Sequence, residues 1–119
     1  MATVAKILVG LLAVEHVYAL VLEMFLWTRP FGLRAFGNTP EQAQTMAVLA
    51  KNQGLYNGFL AAGLFWSLWT GARDVQLFFA GCVLVAGLYG FATTGKRAIL
   101  LAQGGLGALT LAAILAARG

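Results

Sequence analysis

Charge is what this sequence has least of. Its 119 residues hold eight Lys and Arg against four Asp and Glu, 10% charged in all. A water-soluble domain carries about 25%. That deficit argues against a soluble bundle with a large core. The net charge is +4, but no basic run or basic face is present, so nucleic-acid binding is not expected. Cysteine occurs once, at Cys82, which excludes an internal disulfide and a thiolate metal cluster. Set in an apolar run, Cys82 reads as a small packing residue. Histidine also occurs once, at His16. Both prolines fall in one stretch, "TRPFGLRAFGNTP", residues 28–40.

What is abundant is apolar. Hydrophobic residues make up 61% of the chain, and the mean hydropathy is +0.82. Runs this long and this apolar are read as transmembrane helices. The expected fold is all-α: a single integral membrane domain, 1–119, of four transmembrane helices in an antiparallel up-down bundle. The helices are expected at about 4–27, 40–70, 74–92 and 98–117. The first is read as a permanent span. Glu15 and His16 interrupt its apolar stretch, and no small-residue cleavage site follows.

Thr39 has the pattern of an N-cap, with Pro40 at the first helical position and Gln42 completing a capping box. The second helix therefore starts at Pro40. Thirty residues at about 1.5 Å each exceed a ~30 Å hydrocarbon core, so its first turns belong at the interface. "TGARD" and "TTGKR" form the next two short connections. Arg29, Arg34, Lys51, Lys96 and Arg97 then lie on one side of the membrane, and Lys6, Arg73 and Arg118 on the other. The positive-inside rule places the five-residue side in the cytoplasm.

The first helix carries Glu15, His16 and Glu23. A charged group near the centre of a span costs roughly 2.5–3.5 kcal/mol on insertion scales, so idle ones are rare. At about 100° per residue, His16 and Glu23 share a face. They should meet "NQGLYN" of helix 2, whose Asn52, Gln53, Tyr56 and Asn57 occupy an arc of about 140°. Tyr89 and Gln103 sit at a similar expected depth on helices 3 and 4. The small residues Gly54, Gly58 and Ala62 form a stripe on the opposite arc of helix 2, and Gly104, Ala108 and Ala112 another on helix 4. Such stripes allow close helix packing and suit a homo-oligomer.

Three chemistries compete for the cluster. Glu and His suit zinc, manganese or iron, but the spacing is not the Glu-x-x-His of di-iron bundles. No metal and no cofactor are expected. Nucleophilic catalysis is disfavoured, because Cys82 lies at another level and no serine flanks the cluster. General acid–base work by Glu23, His16 and Glu15 fits best. Asn52, Gln53, Tyr56, Asn57, Tyr89 and Gln103 would bind the ligand. The structural alternative is a polar clamp between helices, whose hydrogen bonds average about 0.6 kcal/mol each.

"EHVYALVLEMFLW" and "NQGLYNGFLAAGLFWSLW" resemble a family of small bacterial integral membrane proteins classed as a domain of unknown function. The resemblance covers nearly the whole chain. It rests on Glu15, His16, Tyr18, Glu23, Trp27, Asn52, Gly54, Tyr56, Asn57 and Gly58. It implies four transmembrane helices and a bacterial inner-membrane location. Some members carry an "epimerase" label, but no assigned activity carries over. The cluster is also similar, in residue type alone, to the sites of membrane sterol isomerases.

The expected function is therefore binding of a lipid or small amphipathic ligand, or acid–base chemistry on it, as in an isomerase or epimerase. Its polar end would enter past the basic rim of Arg29, Arg34, Lys51, Lys96 and Arg97. The alternatives are an oligomeric proton-coupled transporter or channel, and a non-catalytic structural membrane protein.

Overall fold

The computed structural model describes residues 2–117. Arg118, assigned above to the far side of the membrane, lies outside the described residues. Six helices follow one another: α1 (Ala2–Met24), α2 (Pro30–Phe36), α3 (Pro40–Thr45), α4 (Ala47–Thr70), α5 (Arg73–Thr94) and α6 (Arg97–Ala116). Among the described residues there is no strand.

Three of the six, α1, α5 and α6, are long and apolar enough to cross a membrane. Their most apolar windows are only 28%, 22% and 28% buried within the chain. Large side chains such as Ile7, Phe78 and Leu101 point outward. Water does not tolerate that much contiguous apolar surface, whereas lipid does. The 24 residues of α4 are long enough to span but are not among these three. The polar residues of "NQGLYN" dilute its hydropathy.

The ends of the helices follow local chemistry. Thr39 Oγ1 accepts from the Gln42 N–H at 3.2 Å, and Gln42 Oε1 accepts from the Thr39 N–H at 2.9 Å, which is the capping box read from the sequence. The expected continuous helix from Pro40 is instead interrupted at Met46 (φ −100°, ψ 7°), which separates α3 from α4. A second departure is α2, which occupies a stretch expected to be irregular. Pro30 starts it from the first helical position, where the missing N–H has no helical partner to lose. Gly95, at φ 70°, ends α5.

The chain divides into two compact units. One comprises the residues up to Ala13 and those from Ala62 onward. Its core includes Val9, Leu12, Leu64, Ala80, Val83 and Ile114. Here α5 and α6 form an antiparallel hairpin, in which a Cβ at Gly87 would strike the backbone of Gly104. Backbone contact of this kind is how small residues join membrane helices. At this contact α6 widens into a π-helical segment, Leu100–Gly105, that nothing in the sequence foretold. The other unit is Val14–Ala61. Within it, Gly54 packs against Leu20, Glu23 and Met24, and Gly58 against Leu20. Gly54, Gly58 and Gly104 are thus used inside the chain, while Ala62, Ala108 and Ala112 stay exposed.

Candidate functional site

The polar residues of α1 and α4 meet inside the Val14–Ala61 unit. The buried face of α4 in this unit is Ala50, Gly54, Asn57 and Ala61. At about 100° per residue these four lie within about 60° of one another. Gly54 has no side chain, so α1 comes close: a Cβ there would lie 3.2 Å from Glu23 Cβ and 3.3 Å from the Leu20 carbonyl oxygen. One turn further along, the Asn57 side-chain amide donates to Glu23 Oε1. Asn57 is buried and Glu23 half-buried.

The chain after α1 turns back on the end of that helix. A Cβ on Gly32 would collide with the Leu26 carbonyl, so only glycine allows α2 to fold so tightly onto the end of α1. The Trp27 indole N–H donates to the Ala43 carbonyl at 2.8 Å, which ties α3 down. The Trp27 ring packs on Phe36 with centroids 4.8 Å apart. Beside Trp27 is a cavity of about 250 Å³, lined by Glu23, Met24, Phe25, Trp27, Thr28, Gln44, Ala47 and Lys51. It combines a carboxyl, an ammonium, an amide, a hydroxyl and two aromatic rings.

Other expected site residues lie elsewhere. Asn52, Gln53 and Tyr56 were expected on one inward arc with Asn57, opposite Gly54. The structure corrects this: all three are exposed, and Asn57 shares its buried face with Gly54. Asn52 is turned about 140° from Asn57, and its amide donates to the Val48 carbonyl of its own helix at 2.9 Å. Tyr56 is 58% exposed and stacks edge-on against Phe59. His16 is buried at 1% exposure. It does not line the cavity and sits seven residues before Glu23, about 10.5 Å along the helix. Glu15 is half-buried. Among the described residues, no group of three or more His, Cys, Asp or Glu could hold a metal ion.

Tyr89 and Gln103 belong to the other unit. Tyr89 is exposed and lines an open apolar groove along α5 with Phe78, Cys82 and Val85, while Gln103 is half-buried in the π-helical segment. All five rim residues, Arg29, Arg34, Lys51, Lys96 and Arg97, are exposed, and of these Lys51 lines the cavity. Sequence reasoning passed over Thr28 and Gln44. Gln44, Ala47 and Lys51 do fall at i, i+3 and i+7, a one-face helical spacing that survives the break at Met46.

The family model described as "Protein of unknown function (DUF1304)" matches residues 10–115. The "Uncharacterized protein YpaA" of Lactococcus lactis subsp. lactis (strain IL1403) is 36% identical over 115 residues, covering 92% of this chain and 95% of that protein. No solved structure matches. Residues 10–115 include both polar helix segments, the capping box and every lining residue of the cavity, so the chain belongs to the DUF1304 family of proteins of unknown function.

Proposed function

We propose that this is a multi-pass protein of the bacterial inner membrane whose Val14–Ala61 unit binds the polar end of a small amphipathic molecule. The observation that carries this reading is the cavity beside Glu23, Trp27, Gln44 and Lys51. Its lining includes a carboxyl held in place by Asn57. Intramembrane carboxyls are retained where they work, because lipid makes idle ones costly. At about 1.5 Å per residue, α4 reaches about 36 Å, enough for a fourth crossing. The basic side, with Lys51 at the cavity, then faces the cytoplasm.

The chemistry available here is proton transfer by one carboxyl. Glu23 can take a proton from one carbon of a bound molecule and return it to another, which is the minimum a double-bond isomerase needs, whereas an epimerase needs a second proton donor on the opposite face. His16 is outside the lining and is assigned no contact with the ligand.

The test is native mass spectrometry of the full chain released from detergent, wild type beside Glu23→Gln. A bound small molecule in the wild type that is lost or strongly reduced in the folded variant supports the reading. Identical spectra with no bound mass in either protein overturn it.

A further inference from the structure

We propose that the ligand of this cavity is a phosphoethanolamine group, a primary ammonium joined to a phosphate, either as a lipid head group or as the free compound. The inference rests on the site proposed above and names its chemical class.

The cavity offers both charges that such a zwitterion needs. Lys51 supplies an ammonium for the phosphate, and Glu23 supplies a carboxyl for the ligand's own ammonium. Asn57 occupies Glu23 Oε1. A carboxylate has a second oxygen and further lone pairs to offer. Asn57, the residue that fixes Glu23, lies six positions after Lys51, or about 9 Å along α4. Lys51 is exposed and Glu23 half-buried, so phosphate binds at the mouth and the ammonium further in. Trp27 adds an aromatic ring, an attractive surface for a cation, and its position is fixed by the bond to Ala43. Thr28 and Gln44 are left for the phosphate ester oxygens.

Size and place agree with this chemistry. At about 250 Å³ the cavity is smaller than the ~300–1,000 Å³ of sites that enclose drug-sized molecules. It suits a head group, with acyl chains left in the bilayer. It also begins where the apolar span α1 ends, at Met24, with Trp27 three residues on. Tryptophan at that position marks head-group depth.

Discrimination among head groups follows. A quaternary choline ammonium has no N–H to give Glu23. A phosphoglycerol has hydroxyls but no cation. Lys51 should therefore act on every phosphate ligand, and Glu23 most on the primary ammonium, which adds N–H donation to the charge that a quaternary ammonium also carries.

The experiment is a titration of the full chain in detergent with short-chain phosphatidylethanolamine, phosphatidylcholine and phosphatidylglycerol, read by native mass spectrometry. Free phosphoethanolamine is a fourth arm. The expected result is binding of phosphatidylethanolamine about tenfold or more tighter than of the other two lipids. Lys51→Ala weakens all three lipids. Glu23→Gln reduces the preference, weakening phosphatidylethanolamine most, phosphatidylcholine less and phosphatidylglycerol least. Since Lys51 is exposed, its variant retains the fold and carries the test even if Glu23→Gln is unstable. Tighter binding of the free compound than of the lipid, with the same two sensitivities, assigns the soluble source. Equal affinity for the three lipids, or indifference to Lys51→Ala, overturns the phosphoethanolamine assignment. If another bound molecule is still lost on Glu23→Gln, the site itself stands. If no ligand of any kind binds, both fall.

Discussion

The side-chain amide of Asn57 donates to the carboxyl of Glu23 across 34 positions of sequence. It joins the second half of α1 to the first half of α4 with side chains rather than backbone. Removing the donor leaves a half-buried acceptor without its partner. Asn57→Ala should lower stability by about 1–3 kcal/mol. Reversible unfolding in mixed micelles measures this, and an unchanged midpoint would mean that the pair does not hold the helices. Asn57→Asp should be worse than Asn57→Ala, because it sets a second carboxyl against the first.

Gly32 lies where the chain doubles back under Leu26. Gly32→Ala should cost about 1–3 kcal/mol through overpacking against a backbone carbonyl that has no rotamer with which to yield. Gly81→Ala is the control. A Cβ there meets nothing within 4 Å, and alanine is the better helix former by about 0.8–1.0 kcal/mol. The two variants should move thermal midpoints in opposite directions, and parallel shifts would refute the tight fold-back at Gly32.

Trp27→Phe keeps an aromatic ring but deletes the donor to the Ala43 carbonyl. A loss of about 0.5–1.5 kcal/mol is expected. Faster hydrogen–deuterium exchange should appear over α3 first. Exchange confined to other segments would show that Trp27 does not tie α3 down.

Much of this arrangement is legible in the sequence, and the rest has physical reasons for being hidden. "TPEQ" announces a capping box because Thr39 and Gln42 satisfy each other three residues apart, without help from the rest of the chain. The cost of a carboxyl in lipid predicts that Glu23 turns toward the helix that carries "NQGLYN", which is α4. It does not select among Asn52, Gln53, Tyr56 and Asn57, which are all polar and only a few residues apart. Gly54 makes that selection, because α1 approaches where α4 has no side chain, and Asn57 is the amide on that face. Pro30 was ambiguous in principle: proline breaks a helix from inside and begins one at the first position. The cavity was hidden for a different reason. It arises from the return of residues 28–45 over the end of α1, held by Trp27 and Gly32, and such a non-local closure leaves no periodicity to read.

The proposed orientation, with the basic side in the cytoplasm, is open to labelling. With Cys82 replaced by alanine and a single cysteine placed at Asn38, a membrane-impermeant maleimide added to intact cells should fail to label the protein. Labelling should succeed after the membrane is opened. Efficient labelling of intact cells would put Lys51 and the mouth of the cavity on the outside.

The most direct test of a ligand site in the Val14–Ala61 unit is an experimental density map of the full chain in a native lipid nanodisc. The expected result is non-protein density beside Glu23, Trp27 and Lys51, continuous with the lipid at head-group depth and absent from a map of Glu23→Gln. A cavity closed by protein side chains, or one filled only by water in both maps, would contradict it.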